Sequence, residues 1–256
     1  MATYIDTHAH NSDEAFSGCE DEIISKSISA GVVMMLQPDI DSKERGRMLS
    51  LVERHPDRLR AMLGLYPGSV DDRWKEEIDA ILPLRSPRIV ALGEIGLDYH
   101  EGKEFRKEQM EAFRTQLELS SEWDLPVNIH LRDATEDFFD ILEDCRHLHL
   151  RGNLHAFGGS YETFCRLQRL GDWYVGIGGV VTFKNSLVGK DISRIPLDRI
   201  VLETDAPYLA PTPYRGTRND SSNLPIIARF IADRKSISEE EVASATTYNA
   251  KQLFAL

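Results

Sequence analysis

Along the chain, short runs rich in β-branched and apolar residues alternate with amphipathic helical stretches, and no other feature limits the possible fold as much. The runs lie at 3–10, 32–37, 59–65, 89–94, 127–131, 152–157, 173–178 and 199–203. Between them, apolar residues recur at three- and four-residue intervals, as in Met110, Phe113 and Leu117. That period marks helices over 20–30, 43–55, 74–82, 103–121, 135–145 and 161–170. The seventh unit is the weakest, because 182–196 reads as a loop with a short helix. Two further helices, 224–234 and 238–253, close the chain, the second opening on a Ser238/Glu241 capping box. Alternation of this kind implies a parallel sheet with right-handed crossovers. Eight units in 256 residues predict an α/β fold, a single-domain (β/α)8 TIM barrel over 1–256 with extra C-terminal helices. An open doubly wound sheet would show an early glycine-rich phosphate loop, and Gly64-Leu65-Tyr66-Pro67-Gly68 is not one.

Composition excludes several classes. With 41% hydrophobic and 28% charged residues the chain reads as globular rather than disordered. Its longest apolar runs, such as Gly31 to Leu36, are too short to span a bilayer, and the first residues lack a basic stretch followed by an apolar one. Cys19, Cys145 and Cys165 are odd in number and share no CxxC spacing, which favours reduced packing thiols and a cytoplasmic location over a zinc ribbon. A net charge of −12 argues against passive coating of nucleic acid. It leaves room for an enzyme that gathers nucleic acid through a metal and a few arginines. No membrane association and no obligate protein partner are inferred.

The polar residues with chemical potential cluster at the ends of the predicted strands. Asp6-Thr7-His8-Ala9-His10 closes the first run, and alternation along a strand would point Asp6, His8 and His10 one way. Glu94 ends the near-continuous apolar fourth run, flanked by Gly93 and Gly96, which permit close backbone approach. His130, with Arg132 two residues on, ends the fifth run, and His155 sits at the end of the sixth. Asp205 follows the eighth, with Pro207 keeping the chain out of a helix. Each residue alone has an ordinary structural explanation. Together, four histidines and two carboxylates would share the C-terminal face of a barrel, where barrel active sites form. That donor set suits one or two divalent ions such as Zn, Mg or Mn. His55, His100, His147 and His149 read as surface or supporting residues.

These segments resemble the TatD family of metal-dependent hydrolases, within the amidohydrolase-type barrels. The matching stretches are DTHAH at 6–10, GEIGLDY at 93–99, HLRDA at 130–134, HAFGGS at 155–160, ETDAPYL at 203–209 and YRGTRND at 214–220. The resemblance implies one metal held by His8, His10, Glu94 and Asp205 and a second by Glu94, His130 and His155, with Glu94 bridging. It also implies a DNase or phosphodiesterase activity, with nucleic acid, above all single-stranded DNA, as substrate. One departure stands out. The family's GxHP loop reads Gly64-Leu65-Tyr66-Pro67 here, so a phenol replaces a substrate-facing imidazole and carries no positive charge at neutral pH.

A metal-activated water could attack a phosphodiester, with Asp205 and Glu94 as the catalytic carboxylates. Arg132, Tyr66 and Arg215 are the candidate substrate contacts, with Arg218 and Lys184 behind them. Tyr99, Phe157 and Tyr208 are candidates for stacking on a base. The same metals could hydrolyse a carboxyl ester or amide, such as a lactone or aminoacyl ester. A catalytically inactive binding module is disfavoured, because all six candidate ligands are present.

Overall fold

The computed structural model describes residues 2–256. Eight parallel strands pair in chain order: β1 (Tyr4–Asp6), β2 (Val32–Gln37), β3 (Leu59–Leu63), β4 (Ile89–Asp98), β5 (Val127–Arg132), β6 (Arg151–Leu154), β7 (Asp172–Ile177) and β8 (Ile200–Leu202). The ring closes just past the ends of β1 and β8. There Thr7 N donates to Leu202 O at 3.0 Å, Asp205 N to His8 O at 2.9 Å and His10 N to Ala206 O at 2.7 Å. The fold is therefore the expected barrel, and its closing seam brings His8, His10 and Asp205 side by side.

Outside the strands run α1 (Glu20–Ser29), α2 (Ser42–Arg54), α3 (Trp74–Asp79), α4 (Arg106–Trp123), α5 (Thr135–Asp144), α6 (Tyr161–Gln168), α7 (Leu187–Asp191) and α8 (Leu224–Lys235). Their apolar faces are buried, as with Phe138, Phe139, Ile141 and Leu142 of α5. The seventh unit is reduced to the single short helix α7, in line with its weak periodicity. The last helix, α9 (Glu239–Phe254), starts at the Ser238/Glu241 capping box, both bonds of which form. Ala250, Leu253 and Phe254 of α9 pack with Ile5, Leu36, Met62, Val90 and Val201, from five different strands. Asn249 Nδ2 donates to the carbonyls of Leu197 and Ile200, where β8 begins. Helix α9 thus plugs the N-terminal end of the barrel and leaves the C-terminal end for the polar cluster.

Two strands depart most from the expected bounds: β1 stops at Asp6 rather than His10, and β4 runs on to Asp98 rather than Glu94. All ten residues of β4 are buried, and the GEIGLD segment pairs with β5 through Ile95, Gly96, Leu97 and Asp98. The register shifts between Leu92 and Ile95, so Gly93 and Glu94 bulge from the ladder, a device that re-aims a side chain. The two glycines serve this strand pair: a Cβ on Gly93 would lie 2.7 Å from Asn128 Cβ, and one on Gly96 2.0 Å from His130 O. Gly96 also holds φ at +143°, a conformation other residues rarely adopt.

Candidate metal centre

The six candidate ligands converge at the C-terminal ends of the strands. Glu94 lies at the centre, buried, with its two oxygens facing different histidine pairs. Oε2 is 3.3 Å from His8 Nε2 and 3.7 Å from His10 Nε2. Oε1 is 2.8 Å from His130 Nδ1 and 3.2 Å from His155 Nε2. Asp205 Oδ1 completes the first group, 3.6 Å from His8 Nε2 and 3.5 Å from His10 Nε2. The Nε2 atoms of His8 and His10 are 3.0 Å apart. Two imidazole lone pairs that close repel unless a proton or cation lies near them, so the donor chemistry fits a divalent ion on each side of Glu94.

Groups around these residues fix their orientation. His8 Nδ1 meets Asn128 Oδ1 at 2.8 Å, and Asn128 Nδ2 donates to Asn153 Oδ1 at 3.1 Å. His130 Nε2 meets Asp98 Oδ2 at 2.9 Å, while the other oxygen of Asp98 accepts from the amides of His100 and Glu101 at 2.8 and 2.9 Å. His155 Nδ1 lies 3.4 Å from the buried Glu203, whose Oε1 accepts from Ala156 N. Glu94 is held through its backbone: Asp39 N donates to Gly93 O at 3.0 Å and Glu94 N to Asp39 O at 3.1 Å. The Asp39 carboxylate is in turn paired with buried Arg45 at 2.6 Å.

The electrostatics favour ionised carboxylates. Burial would raise Glu94, but the charges of His155 and His8 and the hydrogen bond from His130 outweigh it and hold it well below the usual carboxylate range. Burial likewise opposes ionisation of Asp98, and the His130 hydrogen bond and the two backbone amides hold it down at about 2. Burial and the neighbouring His155 push the His8 imidazole down, whereas the surrounding carboxylates outweigh burial and push His10, His130 and His155 up.

The remaining sequence expectations divide. Asp6 does not join the histidines: it accepts from Thr204 N at 3.0 Å and Thr204 Oγ1 at 2.6 Å, tying the last residue of β1 to the segment just past β8. Tyr66 stands edge-on to His130, ring centroids 5.1 Å apart, and Arg132 reaches the loop after β4 at Glu101. Arg215 is exposed and lies over the Phe183 ring, while Arg218 bonds to Ala15 O and caps Phe16, a structural tie. Of the three aromatic candidates for stacking, Phe157 is buried and Tyr99 is clamped between Asp137 and Arg106, so only Tyr208 presents an open ring, 53% exposed. His147 and His149 are exposed on the loop after α5, and His55 pairs with Asp21. Asn128, Asp98, Glu203 and Asp39 went unread in the sequence. The available signals were a polar Asn128 inside an otherwise apolar run, two residues before His130, and the places of Asp98 in GEIGLDY and Glu203 in ETDAPYL.

The family described as TatD related DNase matches residues 5–255. The chain belongs to the TatD family. Relatives in this family include a Bacillus subtilis (strain 168) protein named as the uncharacterized metal-dependent hydrolase YabD, 38% identical over 251 residues and covering 97% of this chain and 98% of its own. The protein named 3'-5' ssDNA/RNA exonuclease TatD of Erwinia tasmaniensis is 33% identical over 253 residues, with 94% of this chain and 95% of its own covered. Among solved structures, the TatD homologue YjjV of Escherichia coli K12 superposes with a TM-score of 0.90 at 30% identity, covering 99% of this chain and 98% of its own. As a TatD-family member the chain is a metal-dependent hydrolase with a His/Asp/Glu cluster able to bind metal.

Proposed function

We propose that this hydrolase is a nuclease that cleaves phosphodiester bonds, with single-stranded DNA as its leading substrate and two ions of Zn, Mg or Mn as cofactors. His8, His10, Asp205 and Glu94 Oε2 would hold one ion, and His130, His155 and Glu94 Oε1 the other. The observation that carries this reading is the division of Glu94 between two histidine pairs. Ions held there supply an activated water near neutral pH and offset charge that develops on phosphoryl oxygens. The other roles fall to the chain. Asp205 is the carboxylate of the cluster most open to solvent, 15% exposed, and suits the acceptance of a proton from the attacking water. Arg132 and Arg215 would grip phosphate oxygens, and Tyr66 would donate a neutral hydrogen bond beside His130. The relative named as an exonuclease supports a nucleic-acid substrate. We place the enzyme in the cytoplasm, acting without an obligate protein partner. Three free cysteines support that location, and among the described residues no helix is long and apolar enough to cross a membrane.

A second reading, carboxyl-ester or amide hydrolysis on the same centre, draws on one observation: Arg132 is already engaged by the carboxylate of Glu101, which offsets the charge a phosphate would use. The test is metal analysis of the purified protein, then assay of the EDTA-stripped and metal-refilled enzyme on labelled single-stranded DNA beside a carboxyl-ester panel. Metal-dependent release of nucleotides supports the nuclease; ester cleavage with intact DNA overturns it.

A further inference from the structure

Glu101, on the loop after β4, lies between Tyr66 of the loop after β3 and Arg132 at the end of β5. Its two carboxylate oxygens are each engaged by a proposed substrate contact. Arg132 places Nη1 3.2 Å from Oε1, and Tyr66 donates its hydroxyl to Oε2 at 3.3 Å. The same hydroxyl lies 3.4 Å from Asp98, the carboxylate that holds His130, so this group of residues adjoins the His130 side of the centre. The backbone of Glu101 is anchored through its amide to Asp98, yet its side chain is 51% exposed and that of Arg132 45%. The carboxylate can therefore swing away while the loop stays in place.

A carboxylate and a phosphodiester each present two anionic oxygens on one central atom. The pair of donors from Tyr66 and Arg132 suits either. We propose that Glu101 is a specificity-determining residue: in the free enzyme its carboxylate occupies the anion position between Tyr66 and Arg132, and an anionic ester must displace it whereas a neutral ester need not. The proposal rests on the phosphodiesterase reading above and adds to it a built-in competitor for phosphate. An exposed ion pair is weak, so displacement lowers phosphodiester affinity only about two- to fivefold. Even so, it shifts preference between the two substrate classes and sharpens the dependence on salt, because a negative charge at a cleft repels an approaching polyanion.

The experiment compares kcat and KM of wild type, Glu101→Gln, Glu101→Ala, Arg132→Ala and the Glu101→Gln/Arg132→Ala pair at matched metal occupancy. The substrates are bis(4-nitrophenyl) phosphate and the neutral ester 4-nitrophenyl acetate. The expected result is a fall of about two- to fivefold in KM for the phosphodiester in both Glu101 single variants, with kcat and the ester KM little changed. Measured against Arg132→Ala alone, the gain should vanish in the double variant, since the freed partner is Arg132. An unchanged or raised phosphodiester KM in both Glu101 single variants, with an active wild type, overturns the role of Glu101 and leaves the phosphodiesterase reading standing. A gain that persists without Arg132 also overturns it. If no protein of the set cleaves the phosphodiester, the reading beneath the proposal fails and the proposal fails with it.

Discussion

Asp98→Asn isolates the idea that a buried hydrogen bond sets which nitrogen of His130 is free. Asp98 is fully buried and accepts from His130 Nε2 at 2.9 Å on one oxygen and from two backbone amides on the other. An asparagine can keep the amide bonds through its single oxygen. Its NH2 group then faces His130 Nε2, and two donors meet. The imidazole relieves this by moving its proton to Nδ1, the atom 2.8 Å from Glu94 that would otherwise offer a lone pair to a cation. The loss is confined to the His130–His155 side, because His8, His10 and Asp205 make no contact with Asp98. Removing such a partner of a metal-binding histidine typically costs about 10–100-fold in metal affinity or activity, or roughly 1.4–2.8 kcal/mol. Metal content measured by mass spectrometry after dialysis against a graded chelator should therefore show one of two equivalents released about 10–100-fold more readily. Excess metal should restore much of the activity. A variant that binds both equivalents as the wild type does, with unchanged kcat, would refute the argument that Asp98 sets the tautomer.

Glu94→Gln should weaken both metal positions at once and abolish activity, while His147→Ala and His149→Ala leave metal content and rate nearly unchanged; equal losses in all three would show the wrong histidines were chosen. Arg132→Ala should raise the KM for a phosphodiester about tenfold with metal content unchanged, toward the lower end of a charge-assisted contact because the side chain is half exposed. Burial and the charges of Glu94, Asp98 and Glu101 raise the Tyr66 phenol, so it stays neutral across the working range. An imidazole there would be drawn toward the cation by bound phosphate and the same carboxylates and opposed by the two bound ions, and Tyr66→His should raise kcat/KM on single-stranded DNA by at most about fivefold to thirtyfold between pH 6 and 8. A decrease across that range would count for a substrate other than nucleic acid. Phe254→Ala should cost about 3–5 kcal/mol in urea unfolding, because Phe254 is buried in the plug beneath the barrel.

The alternation of strand and helix made the barrel legible, since buried parallel strands read as apolar runs and covering helices as amphipathic ones. The six converging residues were legible for the same reason: each ends an apolar run, and a barrel brings all such ends to one face. What the sequence could not show is side-chain pairing between different strands and loops. Asp98 acts through β5 and Glu203 through the loop after β6, and neither partner is near in sequence. Asp6 illustrates the reverse error. Strict alternation put it with the histidines, but β1 stops being a regular strand at Asp6 and the carboxylate turns to the seam with β8. Tyr99 and Phe157 looked available for stacking only because burial by neighbouring elements does not register in a linear motif.

The central claim is that Glu94 stands between two bound cations. Anomalous diffraction from crystals grown with Mn or Zn tests it most directly. Two peaks are predicted per chain, one among His8, His10, Asp205 and Glu94 Oε2, the other among His130, His155 and Glu94 Oε1. Peaks that leave Glu94 unliganded, or ions bound only elsewhere on the protein, would contradict the account.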